Sequence, residues 1–413
     1  MRKKIPVVKD QSPGIRPAPA GGTGATPKSV PRPRFGVITR FRAVAIILIV
    51  AGHSYEAAGI LPVTGIDSTI SNLIKGSTAL FVFLSGFIFN HVFSVGYNYR
   101  NFVIDRARKI LIPYCALTIL AGFIFSNWAG GGFSSGQLFS YFFRGDTFQA
   151  YWYVPFILLM FALAPLHRWF MKMDPLKQVV FIIGGAILGA LAQRPIENDN
   201  AVHSVVFYSP VYLSGLYLSL HSVKMLPLLK KYWPKLLLVA VLLAVLQTLD
   251  GQIDNRQKRF FAIHGFELMG IQKVALSAAF FGLFATVSAA PGLVVRVLAD
   301  TSFAIFFLHP FALEFFKDRT IFHVTGFPWL NLAIATTAIA TVSALIALFL
   351  AKTAQRKKQI PHRLLSRFYC RVGFRTIRGL RVGRLRKECE TRLLRLLAKV
   401  GIASFCCRRK GFP

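Results

Sequence analysis

The sequence predicts an all-α, polytopic integral membrane protein with about ten transmembrane helices and both termini in the cytoplasm. Three observations carry this. Of 413 residues, 54% are hydrophobic, the mean hydropathy is +0.51, and only 16% are charged; ordinary soluble domains carry about 25% charged residues. The apolar residues come in long runs without alternation, which fits spanning helices and excludes a transmembrane β-barrel. Finally, the net charge of +34 is unevenly placed: residues 352–413 hold nineteen Lys/Arg and two Glu, and residues 1–42 hold ten Lys/Arg and one Asp. Tails this basic belong on the cytoplasmic side. In a soluble chain the same charge would suggest nucleic acid; here it predicts contact with anionic lipid headgroups and no nucleic-acid partner.

Residues 1–34 are rich in Pro, Gly, Lys and Arg and read as a disordered cytoplasmic arm. No cleavable signal peptide is expected before the first apolar run. The membrane domain is expected over 35–351, with helices near 37–57, 73–95, 108–127, 151–167, 178–193, 203–221, 235–249, 271–290, 295–316 and 328–351. Loop charges set the orientation. The inner loops hold Arg100, Arg106, Arg108 and Lys109, then Arg168, Lys172 and Lys177, then Lys224, Lys230, Lys231 and Lys235. The outer loops are mixed or acidic, so an even number of spans follows. Residues 352–413 form a basic cytoplasmic tail in which Thr391–Val400 has the pattern of an amphipathic surface helix. The five cysteines make no CxxC pair or metal-ligand pattern, so neither a disulfide framework nor a metal site is expected.

The candidate site begins with Arg42 and His53, with no polar side chain between them. Ionisable residues inside a span are costly and mark working sites. Eleven residues are about three helical turns, so both side chains share one face, about 16 Å apart along the axis. A neutral imidazole can take a proton or be acylated near neutral pH. Glu56, three residues on, is placed to orient that ring if the helix continues. The cluster Arg106, Arg108 and Lys109, ahead of Pro113-Tyr114, offers cations for phosphates; plain topological anchoring is the simpler reading. Gly76, Ser85 and Gly86 permit close helix contact. Trp152, between Tyr151 and Tyr153, is either an interfacial aromatic or a platform for a sugar ring. Ser302 and His309, seven residues apart, share a helix face.

Taken in order, Arg42 with His53, the run Phe81 to Phe87, the Arg106 cluster leading to Pro113-Tyr114, Tyr151-Trp152-Tyr153, and Ser302 to His309-Pro310 resemble the acyltransferase 3 family of membrane-embedded acyltransferases. The resemblance covers about residues 35–351. It implies a ten-helix fold that transfers acyl groups, commonly acetyl, from cytoplasmic acyl-CoA to hydroxyls of cell-envelope or exported glycans, lipopolysaccharides or lipid-linked saccharides, in a bacterial inner membrane. The family's essential Arg and His fall on Arg42 and His53, and its basic cluster falls on Arg106. Where the family carries a second Arg three places later, this chain has Lys109, with Arg108 beside it. On this basis His53, Arg42 and Glu56 are the expected catalytic residues. Arg106, Arg108 and Lys109 are expected to bind acyl-CoA, and Trp152, Ser302 and His309 to bind the acceptor. A proton-coupled transporter using His53, Glu56 and His309 is the alternative class; the missing internal repeat and the few ionisable residues in the spans weigh against it.

Overall fold

The computed structural model describes residues 36–60, 65–93, 97–128, 135–195, 200–251, 257–258, 265–316 and 320–372. Among them are thirteen α-helices: α1 Gly36–His53, α2 Gly65–Ile74, α3 Thr78–Phe93, α4 Tyr99–Trp128, α5 Ser135–Phe143, α6 Tyr153–Ala162, α7 Ala164–Met171, α8 Pro175–Ala192, α9 Ala201–Leu220, α10 Ser222–Leu249, α11 Met269–Thr286, α12 Leu293–Phe316 and α13 Pro328–Val372. A short parallel pair joins β1 (Arg194–Pro195) to β2 (Gln257–Lys258). The chain is an all-α membrane protein. Eight stretches are long and apolar enough to span a bilayer, and α6 with α7, bent by 56°, would make a ninth.

The tenth rod is α9. It has 20 residues but is not among the spans marked by length and apolarity. Its composition explains why. Twelve of its residues are buried, including Ser204, Tyr208, Tyr212 and Ser219, and it packs against α3, α8, α6 and α11. A helix surrounded by protein is not required to be apolar toward lipid. Its contact with α3 depends on two glycines: a Cβ on Gly86 would overlap the Tyr212 carbonyl, and one on Gly215 would overlap the Phe83 carbonyl. Small residues at such crossings let backbones touch, and dispersion does the rest.

Element boundaries differ from expectation in instructive places. The second span is broken at Lys75–Ser77, where Gly76 adopts φ 72°, a left-handed value that glycine takes without strain. The carbonyls of Asn72 and Leu73, near the end of α2, accept from the fully buried Lys273 Nζ at 3.1 and 2.7 Å. Helices α4 and α10 start well before the expected 108 and 235, so the basic residues read as loops form helical extensions beyond the apolar core. Helix α13 runs without interruption through residue 351 to Val372. The arm over 1–34 and the tail beyond 372, with its Thr391–Val400 segment, lie outside the described residues.

Helices α1 and α12 pack side by side and run in the same direction, because Arg42 meets Ser302 and His53 meets His309 further along both. The N-terminal end of α1 is tied to the α11–α12 connection: the Arg40 guanidinium donates to the Ala289 carbonyl. At that level Phe41 is surrounded by Phe83, Phe280 and Phe281.

Candidate active site between α1 and α12

Helix α1 presents Arg42 and His53 on the stripe facing α12. The partly buried Arg42 Nη2 donates to Ser302 Oγ at 3.0 Å, and Ser302 Oγ donates in turn to the Ala299 carbonyl at 2.9 Å. Ser302 is fully buried. It therefore anchors the guanidinium. Asp300, exposed on the same helix, lies within electrostatic reach of Arg42. From Arg42 to His53 is about 16 Å along α1, and from Ser302 to His309 about 10 Å along α12. Side-chain reach and helix tilt make up the difference, so the Arg42 side chain extends along α12 into the bundle.

His53 is the last residue of α1. Ser54 ends the helix by donating its Oγ to the Val50 carbonyl at 2.7 Å, and the chain turns through Tyr55–Ile60. Helix α12 continues about 10 Å beyond His309, so His53 sits below the outer ends of its neighbours and keeps a partly exposed ring. Gly52 packs on the break in the second span: a Cβ there would lie 3.6 Å from the Lys75 Cα. Glu56 lies past the helix end and is exposed. Its expected place on the His53 face required α1 to continue, and α1 does not. Gln149 Oε1 lies 3.3 Å from His53 Nδ1.

The second imidazole is fully buried. The His309 and His53 ring centroids are 5.4 Å apart. Pro310 has no N–H for the Phe306 carbonyl, and His309 turns its Nδ1–H back onto the carbonyls of Ile305, at 3.0 Å, and Phe306. The His309 tautomer is thereby set, with Nε2 as a buried lone-pair acceptor that has no hydrogen-bond partner.

The remaining expected residues separate. Trp152 is buried and stacks on Tyr208 at 5.3 Å, so it belongs to the core and is not an open sugar platform. Tyr151, also buried, donates to the Phe307 carbonyl at 2.9 Å and fixes the α6 start against α12. In the basic cluster only Arg106 turns into the bundle, toward Tyr212. Arg108 is exposed, and the exposed Lys109 pairs with Asp105 at 2.8 Å. From Arg106 a line of aromatic and polar groups leads to the imidazoles. Tyr212 neighbours Tyr153, whose hydroxyl bonds Ser85; Tyr153 packs on Phe306 at 5.3 Å, and Phe306 lies 6.1 Å from His309.

Three residues of this site escaped the sequence reading. Asp300 had a signal, an acid two places before Ser302 in an apolar run. Tyr153 stood in the aromatic run around Trp152 but was not itself a candidate site residue. Gln149, 96 residues from His53 and on the short 3-10 turn Gln149–Trp152, had none.

The arrangement sets Arg42, near the start of α1, and His53, at its end, on one stripe within an all-α membrane bundle. A family profile described as an acyltransferase domain matches residues 37–351, and the chain belongs to that acyltransferase 3 family. No curated protein and no solved structure matches it. The protein is thus a multi-pass membrane acyltransferase.

Proposed function

We propose that the protein is an acyl-CoA-dependent O-acyltransferase of a bacterial inner membrane. It would move an acyl group, acetyl in the simplest case, onto a hydroxyl of a cell-envelope or exported glycan, such as lipopolysaccharide or a lipid-linked saccharide. The observation that carries this reading is the placement of His53. It ends α1 with a partly exposed ring 5.4 Å from that of the buried His309, while Arg42 stands three turns back on the same stripe.

His53 Nε2 takes the proton of the acceptor hydroxyl as its oxygen attacks the thioester carbonyl. The new C–O bond forms, the C–S bond breaks, and the imidazolium returns its proton to the departing thiolate. Arg42 is anchored at Ser302, about 10 Å along α12 from His309, too far to touch the reacting carbonyl. This favours a role in holding the donor over stabilising charge at the carbonyl. Arg106, turned inward at the cytoplasmic end, suits the donor's phosphates; Arg108 and Lys109 are left to the solvated face.

Mass spectrometry of envelope glycans from a strain lacking this protein tests the reading. One acyl mass should disappear from one polymer and return on complementation. An unchanged acylation profile would count against it.

A further inference from the structure

His309 spends its ring proton on the Ile305 and Phe306 carbonyls. Toward His53 it can offer only a lone pair. The two ring centroids are 5.4 Å apart, and an Nε2–H tautomer of His53 would lose the nitrogen that must act as base. A group on the other side has to hold the His53 proton on Nδ1. Only a hydrogen-bond acceptor can do so.

We infer that Gln149 is the positioning residue of this site, its side-chain oxygen accepting from His53 Nδ1–H at 3.3 Å and so keeping His53 Nε2 unprotonated. The bond is slightly longer than the usual range, as catalytic hydrogen bonds often are before substrate binds. The 3-10 turn that carries Gln149 is held in place by its buried neighbours. Tyr151 is bonded to the Phe307 carbonyl, and Phe148 packs on Phe311 at 4.8 Å. Both anchors are on α12, the helix that carries His309, so Gln149 and His309 approach His53 from a common frame. With its proton held on Nδ1, His53 keeps Nε2 as a lone pair on a partly exposed ring, while His309 Nε2 stays buried. The inference rests on the catalytic role proposed for His53 and adds the group that sets its tautomer.

Solid-state 15N NMR of the full chain in lipid, with labelled histidine and His53 assigned by difference with His53→Gln, reads the tautomer without any activity assay. The neutral His53 ring should be protonated on Nδ1 in the wild type and shift toward Nε2–H in Gln149→Leu. An Nε2–H ring in the wild type, or no shift in the variant, overturns the inference whatever the reaction proves to be. Activity adds a second arm. Gln149→Leu should lower kcat by about tenfold or more with donor KM unchanged, and Gln149→Glu, which keeps an accepting oxygen, should stay within a few-fold of wild type. If Gln149→Glu is as inactive as Gln149→Leu, the amide nitrogen is the working group and the assignment is wrong. If Gln149→Leu does not insert, the wild-type spectrum and Gln149→Glu decide. If Gln149→Leu is fully active while His53→Ala is dead, the base reading stands and this inference falls.

Discussion

Arg42 and His53 are placed by one short helix, but neither is positioned by it alone. Their partners come from 96 to 260 residues away: Gln149 for His53 and Ser302 for Arg42. The stripe on α1 was legible because helical geometry fixes residues eleven apart on one face. The partners were not, because tertiary packing chooses them and a lone glutamine in an aromatic run carries no periodic signal. Glu56 shows the converse: a spacing argument fails when the helix stops three residues early. At this scale Arg42→Lys should raise the acyl-CoA KM about tenfold with a smaller change in kcat, since an ammonium cannot reproduce a guanidinium's fork of donors. Steady-state kinetics of purified protein checks this, and an equal fall in kcat at unchanged KM would move Arg42 to the chemical step.

At the level of elements, the crossing of α3 and α9 sets the centre of the bundle. The Gly86 and Gly215 contacts admit no Cβ, and a side chain there pushes on backbone, which cannot rotate away. Gly86→Val or Gly215→Val should destabilise the fold by about 3 kcal/mol or more, read as a lowered melting temperature and a poor yield of inserted protein. Normal melting in both variants would contradict the crossing. The broken second span has a similar weak point: Lys273→Met removes the ammonium's bonds to two carbonyls, at a cost of about 1–3 kcal/mol. Small residues at 76, 85 and 86 signalled close packing in the sequence. The break at Gly76 and the role of Lys273 could not be read there, because the capping lysine lies about 200 residues further on.

For the whole molecule, ten rods were countable from apolar runs and loop charge even though α9 is too polar to qualify by composition. Length and the positive-inside bias supplied what hydropathy did not. Helices α4, α10 and α13 extend past the expected ends because basic turns are stable outside the lipid, where composition alone reads them as loops. An even number of alternating rods puts the start of α1 and the end of the apolar part of α13 on one face. Single cysteines placed in a Cys-free background test this. One at Glu56 should react with an impermeant thiol reagent added to intact spheroplasts, and one at Arg108 should react only after lysis. Labelling of Arg108→Cys from outside would invert the arrangement and place Arg42 on the wrong side for a cytoplasmic donor.

The central claim is that His53 performs the transfer, and acylation by the His53→Ala variant tests it most directly. The variant is expressed in a strain lacking the wild-type protein, its insertion is verified by immunoblot of the membrane fraction, and acyl groups on envelope glycans are measured by mass spectrometry. The account predicts normal insertion and loss of the acyl mass to the level of the strain without the protein. Near-normal acylation by inserted His53→Ala would contradict it.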